Sequence, residues 1–135
     1  MKYIGIDYGT KRVGIALSDI EGRMAFPYGV FPNTADLVEQ IVGLTKKEEV
    51  GTVIVGESRN FQNQPNPLME KILPFAEELK SASGLPIEFM TEVLTSQEAK
   101  HIQGDNELND ASAAAIILQS YLDRTNSPRP DEPEL

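Results

Sequence analysis

Residues 3–19 constrain this chain more than any other stretch, because they read as two short strands joined by a tight turn, with a carboxylate inside a strand. Side chains alternate faces along a strand, so Ile4, Ile6 and Tyr8 share one face and Tyr3, Gly5 and Asp7 the other. Asp is depleted in strands, and burying a carboxylate is costly unless a partner offsets it. The second strand sets Val13, Ile15 and Leu17 on one side and Gly14, Ala16 and Ser18 on the other. That row of small residues lets a helix or a ligand approach the backbone closely. Chemistry is therefore sought first at Asp7.

Beyond this hairpin, Gly22 marks a turn and residues 24–31 supply a third strand of an antiparallel meander. Asn33 or Thr34 caps a helix whose apolar stripe is Leu37, Val38, Ile41 and Leu44. The β-branched run Thr52-Val53-Ile54-Val55 has the look of a strand buried on both faces, ending at Gly56-Glu57 before a polar loop at 58–64. Asn66 and Pro67 open a second helix with Leu68, Ile72, Phe75 and Leu79 inward, and Pro74 should kink it. A short strand over 87–91 stops before Glu92, and Thr95-Ser96-Gln97-Glu98 has the form of a capping box that starts a short helix. Asn109 caps the last helix, on which Asp110, Ala114, Ile117 and Tyr121 share one face.

Strands linked through helices run parallel with right-handed crossovers. The expected fold is α/β: a single domain over residues 1–124 with a five-stranded mixed sheet, an antiparallel meander followed by parallel strands, flanked by helices. Residues 125–135 are Pro-rich and acidic and are expected to be a disordered tail. In such sheets, sites form beyond the carboxyl ends of the parallel strands, which is where Asp7, Glu57 and Glu92 fall. With Asp110 at a helix start, Asp7, Glu92 and Asp110 can converge on one point. Three acids there repel and need a cation, and oxygen-only ligation favours Mg²⁺ or Mn²⁺.

Composition narrows the chemistry. There is no cysteine, so disulfides, thiolate metal sites and a thiol nucleophile are excluded. A net charge of −9, from 12 basic and 21 acidic residues, argues against broad electrostatic adhesion to nucleic acid and leaves a local basic patch as the way to bind it. No charged-then-apolar leader and no long apolar run is visible, so the expected location is cytoplasmic, with no membrane partner.

Gly5-Ile6-Asp7-Tyr8-Gly9-Thr10-Lys11-Arg12-Val13-Gly14-Ile15-Ala16, with Ser18-Asp19, resembles the opening signature of the YqgF family. The run from Glu92 to Ala99 is similar to that family's acidic strand-end motif, and the run from Asp110 to Leu122 to its final helix. The family comprises Holliday-junction resolvases of RNase H-like fold, also assigned to maturation of the 5′ end of precursor 16S ribosomal RNA. The resemblance implies an RNase H-like fold and a metal-dependent endonuclease acting on structured RNA or branched DNA. It also implies that Asp7, Glu92 and Asp110 are catalytic, metal-binding acids. This sequence departs from the family at Thr91-Glu92-Val93, where Asp-Glu-Arg is usual, and at Glu57-Ser58, where an apolar-Pro pair is usual. From Glu92 to Asp110, Lys100 is the only fixed positive charge, against five acids.

Lys11 and Arg12 are either solvated turn cations or a phosphate grip beside Asp7. Thr95 is a helix cap whose neighbouring amides can also hold a phosphate. Asp19 is read as closing the hairpin end through local hydrogen bonds, and His101 as a surface residue. Two other functions compete with the nuclease: a catalytically weakened RNase H-like binding module, and an ATP-binding domain of the actin or sugar-kinase type. The latter needs two such domains closing on a nucleotide. A monomer or weak homodimer is expected.

Overall fold

The computed structural model describes residues 1–57, 68–91 and 107–126. Within them run β1 (Lys2–Tyr8), β2 (Arg12–Ser18), β3 (Ala25–Pro32), α1 (Leu37–Lys47), β4 (Val50–Glu57), α2 (Met69–Ser83), β5 (Ile87–Thr91) and α3 (Glu107–Asn126). The strands form one five-stranded sheet in the order β3-β2-β1-β4-β5. β1 pairs antiparallel with β2, and β2 with β3, whereas β1–β4 and β4–β5 are parallel. The meander followed by parallel strands is the expected architecture.

Period-two alternation divides the core between two faces. Ile4, Ile6, Val13, Ile15, Val53 and Val55 face Ile41 and Leu44 of α1 and Ile72, Phe75 and Leu79 of α2. Burial of each such side chain contributes roughly 1.5–3 kcal/mol. On the opposite face Ala16, Ile54 and Met90 pack against Ala114, Ile117, Leu118 and Leu122 of α3. The small-residue face of the hairpin is thus covered by the last helix.

Several element ends fall elsewhere than the sequence suggests. Asp36, rather than Asn33 or Thr34, stands at the N-cap of α1, and the Thr34 hydroxyl donates to its carboxylate. α2 runs unbroken through Pro74, whose position on the exposed side spares the buried stripe. α3 begins at Glu107, so Asn109 lies in its first turn, and it continues through Thr125 to Asn126. Asn126 Nδ2 donates to the carbonyls of Gly22 and Leu122, at 2.9 and 2.8 Å, tying the helix end to the β2–β3 turn. The remainder of the expected tail and the helix expected from Thr95 lie outside the described residues. Asp19 closes its hairpin end as expected: its carboxylate accepts from the amides of Arg23 (2.8 Å) and Met24 (3.2 Å). Those backbone donors, Arg23 first, hold its pKa below the usual carboxylate range.

Candidate active site

The site is built where α3 meets the β1–β2 hairpin. A side chain on Gly14 would force the backbones apart, since its Cβ would lie 2.0 Å from the Asp110 carbonyl oxygen and 2.5 Å from the carbonyl carbon. A Cβ on Gly5 would likewise lie 2.7 Å from Leu118 Cβ and 3.0 Å from the Ala114 carbonyl oxygen. The two glycines let the start and middle of α3 rest directly on the sheet. Asp7 is the cross-strand partner of Gly14. Paired residues of antiparallel strands have Cα atoms about 4.5–5.5 Å apart. The half-buried Asp7 therefore stands beside the residue on which the backbone of Asp110 sits, and the two acids share one face of the hairpin.

Asp110 already faces a cation. Its Oδ2, fully buried, lies 3.0 Å from Nε of Arg12, the first residue of β2. The Arg12 side chain keeps 42% of its surface exposed and that of Asp110 25%, so the pair lies at the rim of the site rather than within the core. Lys11, next to it in the turn, is exposed.

Asn33 shapes this turn and was not anticipated as part of it. Its Nδ2 donates to the Gly9 carbonyl at 2.8 Å, and its amide to the Lys11 carbonyl at 3.0 Å. Clamping both carbonyls fixes the path of the backbone that carries Lys11 and Arg12. Sequence reading assigns an Asn before a helix to capping, and no local pattern signals a partner 24 residues upstream.

Of the candidate residues, the structure brings together Asp7, Arg12 and Asp110, with Lys11 adjoining. Glu92 and Thr95 lie outside the described residues; β5, the strand leading to Glu92, ends at Thr91, paired with Glu57. Glu57 closes β4 two residues after Val55, so alternation assigns it to the α1–α2 face, opposite Asp7. Among the described residues no group of three or more His, Cys, Asp or Glu side chains is positioned to hold a metal ion. Two oxygen-donor acids on one face, one of them with a cation 3.0 Å from its carboxylate, nonetheless fit a hard divalent cation.

Comparison with known proteins bears on this geometry. The family model described as "RuvX: Holliday junction resolvase" matches residues 1–124. A protein of Anaeromyxobacter sp. (strain Fw109-5), named "Putative pre-16S rRNA nuclease", is 39% identical over 134 residues, covering 91% of this chain and 97% of its own. A protein of the same name from Pelotomaculum thermopropionicum is 36% identical over 141 residues, covering 96% and 91%. Among solved structures, Thermus thermophilus RuvC in complex with a Holliday junction substrate superposes with a TM-score of 0.61 at 18% identity, covering 93% of this chain and 96% of that one. The fowlpox virus Holliday junction resolvase superposes with a TM-score of 0.56 at 13% identity, covering 92% and 99%. At those identities the likeness is one of fold, an RNase H-like α/β sheet.

Proposed function

The chain belongs to the RuvX family of Holliday junction resolvases and is a nuclease, and on that premise we propose that Asp7, Glu92 and Asp110 are its metal-binding catalytic acids. The observation that carries the proposal is the seating of Asp110 on Gly14, the cross-strand partner of Asp7. Glu92, one residue beyond β5, completes the set by sequence.

Mg²⁺ or Mn²⁺ bound there would supply Lewis acidity at a phosphoryl oxygen and lower the pKa of a water. Hydrolysis forms a bond from a water oxygen to phosphorus and breaks a bridging P–O bond, the proton ending on the leaving oxygen. The chain's part would be to hold the acids at fixed separation, which the glycine contacts support, and to hold Lys11 and Arg12 beside them, which the Asn33 clamp supports. Lys11, Arg12 and Thr95 would grip backbone phosphates, positioning the strand without reading its sequence.

The substrate we propose is structured nucleic acid: the 5′ end of precursor 16S ribosomal RNA, for which the relatives are named, or a four-way DNA junction, for which the family model is. Such work would take place in the cytoplasm; among the described residues no helix is long and apolar enough to cross a membrane. Residues 1–124 would form the nuclease domain, supported by the reach of the family match. Thr91 and Val93, standing where the family usually carries an acid and an arginine, favour a second reading, a module that binds and cuts poorly.

Cleavage of both substrates with and without Mg²⁺, by the native chain and by Asp7→Asn, separates the two readings. Mg²⁺-dependent products that vanish in Asp7→Asn support the nuclease site. Binding of either substrate with no products at any Mg²⁺ or Mn²⁺ concentration supports the module.

A further inference from the structure

We propose that Arg12 serves as the resident counter-ion of Asp110 when no metal is bound, and that a divalent cation must displace it. The inference rests on the reading of Asp7 and Asp110 as metal ligands. It assigns to Arg12 a role earlier than any contact with nucleic acid.

The physical case begins with Asp110. A buried carboxylate oxygen is costly to desolvate unless a charge or a donor faces it. Arg12 Nε, 3.0 Å from Oδ2, faces it. A guanidinium keeps its charge in such a pair. A divalent cation approaching the same carboxylate therefore meets a fixed positive charge. The Arg12 side chain, 42% exposed, has solvent on its outer side and room to leave. Its backbone stays behind, because the turn preceding it is pinned by Asn33 at the Gly9 and Lys11 carbonyls. Once displaced, the guanidinium remains at the site's rim beside Lys11, where an incoming phosphate can take it.

Two effects of Arg12 on metal affinity oppose each other. Holding Asp110 in place favours binding, whereas occupying its charge disfavours it. The acid is seated already through its backbone on Gly14, so the ordering effect is small and competition wins. Arg12 thus links the two events: metal binding releases the residue that grips phosphate.

The test titrates Mn²⁺ into the full chain without nucleic acid, by calorimetry and by the electron-spin resonance of unbound Mn²⁺, for the native protein, Arg12→Gln, Arg12→Lys and Asp7→Asn. Arg12→Gln should bind Mn²⁺ roughly 1.5- to fivefold more tightly, the scale of one partly exposed ion pair. Arg12→Lys, which keeps the charge, should stay near the native affinity. The Mn²⁺-induced rise in melting temperature should also be larger for Arg12→Gln, a readout that holds even if that variant starts less stable. Equal or weaker Mn²⁺ binding by Arg12→Gln overturns the inference, as does equal tightening by Arg12→Lys, while the metal site itself stands. Absence of Mn²⁺ binding that Asp7→Asn weakens overturns both.

Discussion

A methyl group added at Gly14 would meet the Asp110 carbonyl oxygen at 2.0 Å, whereas one added at Gly29 would meet nothing within 4 Å. Backbone cannot swing aside as a flexible side chain can, so Gly14→Ala must lift the start of α3. Overpacking of this kind costs about 1–3 kcal/mol, which lowers the melting temperature by roughly 4–12 °C in a domain of this size. Gly29→Ala should melt within about 2 °C of the native chain. Thermal scans of the pair decide the point, and equal melting would mean that α3 does not seat on Gly14. Asp7 makes a contrasting case. It shares its face with Asp110, and carboxylates on one face repel, although Arg12 offsets part of that repulsion at Asp110. Asp7→Asn should therefore abolish cleavage yet leave the apo-protein as stable or slightly more stable. A clear fall in its melting temperature would mark Asp7 as a structural acid instead. The face on which Asp7 lies was legible in the sequence, because alternation along β1 places it with Gly5, on the side that α3 covers. Asn33 was not, since its partners are main-chain carbonyls brought near only by the fold.

Elements were legible where one face is strongly apolar and less so at their ends. α2 shows why. Ile72, Phe75 and Leu79 fix its buried stripe, and that burial outweighs the missing amide of Pro74. Proline inside a helix costs about 3 kcal/mol relative to alanine, so the exposed Pro74 is a standing penalty. Pro74→Ala should raise the melting temperature by several degrees, and no rise would show that the local helix geometry has already absorbed the proline. The junction of α3 with β5 makes a pH prediction. The Tyr121 hydroxyl donates to Glu88 Oε2 at 2.8 Å. Partial burial first, then Glu88, push the Tyr121 pKa up from 10.0 to about 12. The folded state thus favours the protonated phenol. The stability it contributes is whole below pH 10 and is lost as pH rises through about 12. Tyr121→Phe should remove that part of the alkaline loss, which a comparison of denaturant midpoints at pH 9 and at about pH 11.5 would read. Parallel slopes for the two proteins across that interval would sink it.

At the scale of the molecule, the mixed character of the sheet, a meander followed by parallel strands, was legible from the hairpin and from which strands are joined through helices, whereas the spatial order β3-β2-β1-β4-β5 is seen only in the fold. The charge is harder to reconcile with a nucleic-acid substrate. A chain of net charge −9 repels a polyanion at long range, so attraction must come from a few cations at the site. Lys11 and Arg12 adjoin Asp7 and Asp110, and Arg59 follows the end of β4 by two residues in the sequence. Neutralising two or three phosphates gives a slope of log affinity on log salt of about −2 to −3 on duplex DNA, far shallower than that of a basic binding surface. Generic duplex should bind weakly, and a junction or a folded RNA end better, because shape must supply what charge does not. Charge reversal of Lys11 and Arg12 should weaken junction, duplex and single strand alike, since phosphate contacts carry no sequence information. Binding of the three across a salt series, with Mn²⁺ present, is the measurement. A steep slope on duplex would show that cations beyond Lys11, Arg12 and Arg59 take part, whereas a shallow slope with junction preference would support a grip of two or three cations near Asp7.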